Sequence, residues 1–430
     1  MSAKRSQHVF GISTAVLKDS YVDRGRLDEK LHLLLEREIH VAIRGASKSG
    51  KSWLRQQVIA DPLVVQCRLG KTVIEVYREA LGLLGISLVT STTRGSSLSG
   101  TVEASTQAGT SLLAKAAAKF GLSGTIKAET STQPLRHNIS DLSFVCEIIR
   151  SSGKRLVIED FHYLGKEERR SLAYDLKTMW DLKLYVVLVG VWTESNLLLH
   201  LNSELANRVR EVSVTWNRAD LAKILTQGGD ALNVEFTNDV QDELTLNAYG
   251  NAGILQRLAL DVLDAAGITE RGRKLVKVDD VEQVHSAALF YAEELNGIYQ
   301  EFARRVASGI RRRSNSTGIY SHILAVVLDV PDEELITGVD WHVIFDKSHR
   351  RESRIQQGNL KTALGNLQRL QVDEDGRGLV IDYADERVKV VDQQLLLYRK
   401  YATVSWPWED MIRAADSAGE DYSLPLSDEE

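Results

Sequence analysis

Cysteine is scarce in this sequence, whose 430 residues include only Cys67 and Cys146. Both cysteines lie in apolar segments, and their spacing is unlike that of a metal-binding motif. A single pair in a chain of this length indicates the reduced thiols of an intracellular protein, because disulfide frameworks belong to oxidising compartments. We therefore predict that both side chains are buried as small hydrophobic residues.

Long apolar runs are also missing. No stretch approaches the roughly 18 apolar residues that would predict a membrane-spanning helix. The amino-terminal stretch MSAKRSQHVFGISTAVLKDS lacks the apolar core of a secretory signal. Together with the reduced cysteines, these absences predict a cytoplasmic protein.

The chain has no excess of positive charge that would favour nucleic acid as a partner for its whole surface. Its net charge is −6, but the segment 409–430 alone contributes −7, so the remainder carries +1. Apolar residues make up 43% of the chain and charged residues 26%, which is typical of a soluble globular protein. At roughly 100–200 residues per domain, the length predicts two or three domains.

Short apolar runs alternate with helical patterns between residues 30 and 215. The runs with the composition of buried strands are EIHVAIRG, PLVVQCRL, RLVIED, LYVVLVGVW and EVSVT. This alternation predicts an α/β fold with a parallel sheet that has helices on both faces. From residue 217 to 310 the pattern is wholly helical, with Gly, Asn and Asp between the helices.

The stretch 90–133 interrupts the alternation and is rich in Ser, Thr, Gly and Ala. Two similar segments, GTVEAST and GTIKAET, alternate like the strands of a hairpin, and SLLAKAAAKF between them has the composition of a short helix. We interpret the stretch as a surface insertion. The weaker alternative is a segment that touches a membrane, which only two lysines and a few apolar residues favour.

The segment GASKSGKS fits the pattern G-x-x-x-x-G-K-S at Gly45, Gly50, Lys51 and Ser52, between a strand and a helix. Glycines let the backbone curl until its N–H groups point at phosphate oxygens. We expect Lys51 to reach the β and γ phosphates and the Ser52 hydroxyl to ligate Mg²⁺. The remaining residues of this phosphate-binding loop are Ala46, Ser47, Lys48 and Ser49.

The segment RLVIEDFHYL places two adjacent carboxylates, Glu159 and Asp160, at the end of an apolar strand. Many ATPases have Asp before Glu here, the first for Mg²⁺ and the second to activate water, so the order is reversed. Either acid can hold the metal while the other orients water, and the sequence leaves both assignments open. A displacement near 1 Å at a general base can cost about 100-fold in rate. We therefore predict nucleotide binding with slow hydrolysis, as in a switch.

The strand PLVVQCRL lies between the loop strand and the acidic strand in sequence, which predicts a sheet with an extra strand between those two. GTP is the competing nucleotide, because NRAD at 217–220 superficially resembles the guanine-binding N-K-x-D. Arg replaces its lysine, however, and the segment VTWNRADLAKIL is better explained as a strand end, a cap and a helix start.

With these motifs, residues 18–309 resemble an AAA+ or STAND-type ATPase of the origin-recognition branch. The segment YVDRGRLDEKLHLLL is similar to the segment that precedes the loop in this family. The resemblance implies that Tyr21 and Val22 frame the base and that Arg24 anchors the loop. It also implies an ATP-dependent protein that assembles through nucleotide-bridged contacts between subunits.

The same resemblance implies further site residues. In GVWTESN, Thr193 or Asn196 would sense the γ phosphate, and in NSELANRVREV, Arg208 or Arg210 would be an arginine finger for a neighbouring subunit. The segment YGNAGILQR is similar to the family's lid helix, and its Arg257 would be a second sensor. In this segment Gly250, Asn251 and Gly253 would open the helix.

Beyond a polar linker at 311–318, three helical segments precede the hairpin-like GLVIDYADERVKVVD. This order resembles a winged helix (an α+β domain), which would contact DNA or a protein, or act as an autoinhibitory clamp on the nucleotide site. Charges near the predicted wing are mixed, since Asp385 and Glu386 at its tip would repel a phosphate strand. The expected DNA contacts are Gln357, Lys361 and Arg369 on the third helix and Lys347, Arg350, Arg351 and Arg354 before it.

We thus predict an ATPase core at 1–216 with the insertion at 90–133, a helical lid at 217–310, a winged helix at 311–405 and an acidic disordered tail at 406–430. The chain would bind ATP and Mg²⁺, hydrolyse ATP slowly and act as a switch that contacts DNA or a partner. The alternative is a signalling or anti-phage defence ATPase that docks an effector protein without touching DNA.

Overall fold

The computed structural model describes residues 4–91, 99–119, 142–309, 317–371 and 378–420. The described residues divide into two compact units. The sheet unit consists of Asp23–Gly45 and Gly50–Val214. The helical unit consists of Met1–Val22, Ala46–Ser49 and Thr215–Glu430. Among the described residues, no helix has both the length and the apolar composition needed to cross a bilayer.

The sheet unit contains strands and helices in alternation. In chain order they are α1 (Leu27–Leu35), β1 (His40–Arg44), α2 (Lys51–Val58), β2 (Leu63–Gln66), α3 (Val73–Gly82), β3 (Ile86–Ser91), β4 (Ser99–Ala104), α4 (Gln107–Lys119), α5 (Leu142–Ser151), β5 (Leu156–Glu159), α6 (Lys166–Asp181), β6 (Val187–Gly190), α7 (Leu197–Leu201) and β7 (Val209–Ser213).

The described part of this unit contains a five-stranded parallel sheet in the order β2-β5-β6-β1-β7. Successive residues of each strand face opposite sides, so the two faces contribute to different apolar cores. Val41 and Ile43 of β1 belong to one core and Ala42 to the other, and β5 divides Val157 from Ile158 in the same way. Both faces are therefore covered, which confirms the predicted α/β sheet.

An extra strand does lie between β1 and β5, as predicted, and it is β6. The segment PLVVQCRL forms β2, which lies at the edge of the sheet beyond β5. In the insertion, GTVEAST contributes most of β4, which pairs antiparallel with β3, and α4 includes most of the predicted helix. The second predicted hairpin segment, GTIKAET, lies outside the described residues.

The helical unit has short strands among many helices. Its elements are α8 (Arg218–Leu232), β8 (Val234–Phe236), α9 (Asn238–Asn247), α10 (Ala252–Ala265), β9 (Val276–Val278), α11 (Val281–Ser308), α12 (Ile319–Val327), α13 (Asp332–Thr337), β10 (Val339–Asp340), α14 (Trp341–Arg351), α15 (Gln357–Gly365), α16 (Leu367–Gln371), β11 (Ile381–Ala384), β12 (Arg387–Val390), α17 (Gln394–Tyr401) and α18 (Pro407–Glu420).

One apolar core continues from the helices α8–α11 into the carboxy-terminal elements. There, α12, α14 and α15 precede the hairpin β11–β12, and β10 pairs with β12 to complete an antiparallel sheet in the order β10-β12-β11. The predicted hairpin is present, but five helices precede it in the described residues from 317 onwards. Helix α13 lies between the first two predicted helices, and the third predicted helix is divided into α15 and α16, so that Arg369 lies on α16. The assignment of these elements to a winged helix, and the domain boundaries, stay predictions.

A helix occupies most of the segment that the sequence predicts to be a disordered tail. Helix α18 spans Pro407–Glu420, and its Trp408 is buried. The Trp406 ring stacks on Trp408 with centroids 4.5 Å apart and meets the ring of Tyr398 edge-on. The prediction followed the acidic charge and overlooked these aromatic side chains, whose burial orders the start of the helix. The residues after Glu420 lie outside the described part.

His40 at the start of β1 joins three elements of the sheet unit. The ring is buried, its Nε2–H donates to the carbonyl of Leu176 (2.8 Å), and its Nδ1 accepts from the Val186 N–H (3.0 Å). Burial lowers the pKa of His40 to about 4, and the bond to Leu176 opposes this shift only in part. The folded protein therefore holds this imidazole neutral.

We expect acid to destabilise the fold through His40. Since the folded-state pKa lies below the unfolded value of about 6.5, the unfolded chain binds the proton first, and stability falls as the pH drops from about 6.5 towards 4. Urea unfolding should show a loss of about 2 kcal/mol from this residue between pH 7 and pH 5. His40→Gln should remove that part of the pH dependence, whereas the exposed His32→Gln should keep it. Equal pH dependence in the wild type and His40→Gln contradicts the assignment.

Candidate nucleotide site

The loop between β1 and α2 has the backbone conformation expected of a phosphate-binding loop. Strand β1 ends at Arg44, and α2 begins at Lys51. Lys48 (φ 59°) and Gly50 (φ 88°) adopt left-handed conformations that curl the chain between them. Gly50 takes this φ without the steric cost that a side chain would bring. The helix that follows directs its amino-terminal N–H groups towards the loop.

Lys51 is a buried cation at the start of α2. Its Nζ donates to the carbonyl of Gly45 at 3.1 Å. Burial lowers the pKa of Lys51 to about 8, and the charges of Asp160 and Glu159 oppose the shift. A desolvated ammonium is stabilised by an anionic acceptor, so Lys51 fits a phosphate group.

The two carboxylates at the end of β5 have different partners. Glu159 is the last residue of β5, and its Oε1 accepts from the Nε of Arg55 in α2 at 3.0 Å. Asp160 follows in a left-handed conformation (φ 55°), and its Oδ2 accepts from the side-chain amide of Gln66 at 2.9 Å. Gln66 is the last residue of the neighbouring strand β2. The two acids therefore point to different elements.

Arg55 and Gln66, which bind the two acids, are not among the site residues predicted from the sequence. A signal for Arg55 exists, because it follows Ser52 by three residues and so shares its face of α2. Gln66 is adjacent to the acids only through the pairing of β2 with β5, in which it lies opposite Glu159. His162 was missed as well, and its Nδ1 accepts from the Val191 N–H at 3.2 Å just after β6.

The predicted γ-phosphate sensors lie beyond the carboxyl end of β6, at the same edge of the sheet as the loop and the acids. The guanidinium of Arg44 approaches the Thr193 carbonyl and the Ser195 hydroxyl at 3.4 Å each, and it forms an ion pair with Glu211. Asn196, in a left-handed conformation, is the N-cap residue of α7. Their roles as sensors stay predictions.

The two candidate arginine fingers differ in their contacts within the sheet unit. The Arg208 guanidinium lies over the ring of Trp180, 4.7 Å from its centroid, and donates to the carbonyl of Glu204. Arg210 lies in β7 and is exposed. Of the two, Arg210 is the more accessible to a neighbouring molecule, and its role as a finger stays a prediction.

Within the helical unit, the tip of the loop, Ala46–Ser49, is held by three donors. The side-chain amide of Asn251 donates to the Ser47 carbonyl at 2.8 Å, and the Gly253 N–H donates to the Lys48 carbonyl at 3.1 Å. The indole N–H of Trp216 donates to the carbonyl of Ser49 at 2.8 Å. Three consecutive carbonyls therefore have partners from the segment before α8 and from the start of α10.

The carboxy-terminal part of the helical unit also contacts this tip. The Lys48 ammonium donates to Oε1 of Gln394 at 2.6 Å, and the amide of Asn251 donates to Oε1 of Gln393 at 3.0 Å. Burial lowers the pKa of Lys48, the nearby Asp392 opposes this, and Arg257 adds to it. Lys48 is thus part of a charged network that includes the start of α17.

Buried side chains fix the acceptors of this network. Gln394 is buried, accepts from the hydroxyl of Tyr291, and donates through its Nε2 to both oxygens of Asp392. Asp392 also accepts from the buried hydroxyl of Tyr299 at 2.9 Å. Because these groups are satisfied by one another, the position of Gln394 Oε1 is set by the packing of α11 and α17.

The other predicted contact residues are distributed between the units. Tyr21 and Val22 belong to the helical unit, and Val22 is buried in its core. Arg24 belongs to the sheet unit and is buried there. Arg257 of α10 forms two hydrogen bonds to Asp261 (2.9 and 2.7 Å) and one to Glu294 (3.1 Å). As a second sensor, Arg257 would have to exchange these carboxylates for phosphate.

The residues that resemble a guanine-binding motif have a structural function. The Asn217 side chain accepts from the Asp220 N–H at 2.8 Å and donates to the Asp220 carboxylate at 2.9 Å, which caps α8. Asp220 also forms an ion pair with Lys223. NRAD is therefore a helix cap, as the sequence analysis favours.

The parallel sheet and the loop after β1 define a P-loop NTPase fold.

No protein-family model and no curated protein sequence matches the chain. A solved Walker-type ATPase of Pyrococcus abyssi is 18% identical with a TM-score of 0.49, over 88% of this chain and 96% of that one. A STAND protein with a tetratricopeptide repeat sensor from Pyrococcus horikoshii is 12% identical with a TM-score of 0.37, over 94% of this chain and 46% of that one. The Thermotoga maritima RuvB Holliday junction branch migration motor is 13% identical with a TM-score of 0.35, over 89% and 96%. With identities of 12–18% and TM-scores of 0.35–0.49, these similarities are not evidence for a function of this chain.

Gly253 tests the contact between α10 and the loop tip. A Cβ added there would lie 2.6 Å from the Cβ and 2.8 Å from the carbonyl oxygen of Lys48, so Gly253→Ala must displace the loop. We expect a loss of about 1–3 kcal/mol in the free energy of unfolding, measured with urea. The control is Gly297→Ala in α11, where a Cβ meets nothing within 4 Å and should be neutral or stabilising. If both variants are equally stable, the loop tip is not held as described.

Proposed function

We propose that this chain binds ATP with Mg²⁺ and hydrolyses it slowly as a nucleotide-dependent switch. The curled loop, the buried ammonium of Lys51 and the paired carboxylates Glu159 and Asp160 support phosphate and metal binding. Lys51 and the loop N–H groups would hold the phosphates, and Ser52 with the acids would hold Mg²⁺. The metal would neutralise phosphate charge and polarise the group that is attacked. Water would be oriented by a carboxylate of this chain.

ATP is favoured over GTP for a structural reason. Asn217 and Asp220 of NRAD, which superficially resembles a guanine-binding motif, are bonded to each other and to the backbone of α8. If Asn217 and Asp220 bound a guanine, α8 would lose its N-cap, which costs about 1 kcal/mol of helix stability.

The observation that carries the switch is the contact of Lys48 with the start of α17. Lys48 belongs to the phosphate-binding loop, yet its ammonium is bound to Gln394 in the carboxy-terminal part of the helical unit. A phosphate in the loop offers this ammonium a charged acceptor, which forms stronger hydrogen bonds than a neutral amide oxygen. Nucleotide binding would then release α17 from the loop, and a ligand can shift a conformation only through such a difference in contacts.

Hydrogen exchange measures this coupling directly. We expect ATP with Mg²⁺ to accelerate backbone exchange several-fold in the segment 392–401 of the wild type, because Gln394 loses its cation. Lys51→Ala should not bind ATP, so addition of ATP should leave backbone exchange in 392–401 of this variant unchanged. In Lys48→Ala, exchange should already be fast without ATP, and ATP should add little.

Lys277→Ala is a matched control, since it removes a surface ion pair with Glu235 elsewhere in the helical unit and should behave like the wild type. The switch is refuted if ATP binds to the wild type while exchange in 392–401 stays constant.

We further propose that the carboxy-terminal elements contact DNA. Lys347, Arg350 and Arg351 are exposed on α14, whereas Lys361 of α15 lies over the ring of Trp341 (3.9 Å) and 3.3 Å from Glu386. The observation that favours DNA is thus the row of cations on α14. The paired state of Lys361 favours the second candidate, a signalling or defence ATPase that docks an effector protein.

A salt titration distinguishes the two candidates. If α14 contacts phosphates, affinity for duplex DNA should fall steeply with salt, and the double variant Arg350→Ala/Arg351→Ala should reduce the slope by about two, one for each lost contact. Arg304→Ala, which removes an exposed cation of α11 paired with Glu301, should leave the slope unchanged. Binding that is absent or insensitive to salt excludes DNA and favours the effector candidate.

A further inference from the structure

The ion pair between Arg55 and Glu159 indicates which of the two adjacent acids would hold the metal and which would orient water. Both side chains are only 12% exposed, and they meet at 3.0 Å. A carboxylate this far from water needs a cation or a set of hydrogen bonds, and Arg55 supplies the cation in this structure. Any metal that binds Glu159 must therefore compete with a guanidinium that is already in place.

The position of Arg55 also locates the Glu159 carboxylate. Arg55 follows Ser52 by three residues in α2, so the two side chains lie on the same face of the helix. Glu159 is thus directed towards the helix face that carries the predicted metal ligand Ser52.

Asp160 is held in a different way. Its partner in β2 is the neutral amide of Gln66, which fixes the carboxylate without neutralising its charge. A carboxylate bound by a neutral amide keeps lone pairs for a further hydrogen bond and can accept a proton from water, although the Lys51 ammonium acts on Asp160 as it does on Glu159. The two acids therefore differ in their hydrogen-bond partners, since Glu159 binds a guanidinium and Asp160 binds a neutral amide.

We infer that Arg55 holds the Glu159 carboxylate on the Ser52 side of the site when no metal is bound and competes with Mg²⁺ for it, which leaves Asp160 as the acid that orients water. This inference rests on the proposed nucleotide binding. In the absence of metal, Arg55 balances Glu159. Glu159 would hold Mg²⁺ only after releasing Arg55, so the arginine would raise the Mg²⁺ concentration that the site requires.

The test is a Mg²⁺ titration of the binding of a fluorescent ATP analogue, with a parallel measurement in EDTA. Arg55→Ala should lower the half-saturating Mg²⁺ concentration several-fold and leave the affinity in EDTA within about twofold of the wild type, because competition is removed and the loop is untouched. Arg55→Lys, which keeps a cation, should stay close to the wild type. Lys154→Ala, which removes an exposed ion pair with Asp61 in the same unit, is the control and should change neither value.

The acids provide a second test that does not need Arg55→Ala to fold. Glu159→Gln should raise the half-saturating Mg²⁺ concentration, whereas Asp160→Asn should leave it unchanged, lower kcat by at least about 100-fold and leave KM near the wild-type value. The inference is overturned if Arg55→Ala leaves the Mg²⁺ midpoint in place or raises it, or if Asp160→Asn shifts that midpoint and Glu159→Gln does not. A wild type that binds no nucleotide with or without Mg²⁺ overturns the proposed function itself, and this inference with it.

Discussion

The hydrogen bonds at the tip of the phosphate-binding loop are the constraint on which the account of this protein depends. Three consecutive carbonyls, from Ser47 to Ser49, accept from Asn251, Gly253 and Trp216, and the Lys48 ammonium is bound to Gln394. A loop that wraps phosphate through its N–H groups has its carbonyls directed elsewhere, and here they bind other residues of the helical unit, to which the loop tip belongs. In the proposed switch, the same few residues would respond to nucleotide and hold α17.

The reversed acids fit this account better than they fit a motor. A switch needs two long-lived states with different contacts, and slow hydrolysis prolongs the nucleotide-bound state. In the proposed site, the ion pair of Arg55 with Glu159 would add a second barrier, since a metal would have to displace a buried guanidinium. Neither the reversed order of the acids nor the ion pair between Arg55 and Glu159 is expected in a site built for fast and repeated turnover.

The parts of the structure that follow from local sequence could be predicted, and those that depend on distant pairs could not. The loop, the strands and the cap at Asn217 have periodic or motif signals within a few residues. By contrast, Gln66 meets Asp160 through strand pairing, and Lys48 meets Gln394 across 346 positions of the chain, for which sequence offers no signal. The sequence predicts an extra strand between β1 and β5, but the identity of that strand as β6, with β2 at the edge, is a property of packing. The helix α18 was missed because charge was given more weight than the aromatic residues Trp406 and Trp408.

The most direct measurement of the central claim is a calorimetric titration of the purified chain with ATP and, separately, with GTP in the presence of Mg²⁺. The account predicts saturable binding of ATP with about one site per chain, since one loop is present, and weaker or no binding of GTP. Heat from GTP alone would contradict the choice of nucleotide. The absence of binding for both nucleotides would contradict the account as a whole, because every role assigned to Lys48, Lys51, Glu159 and Asp160 requires a phosphate in the loop.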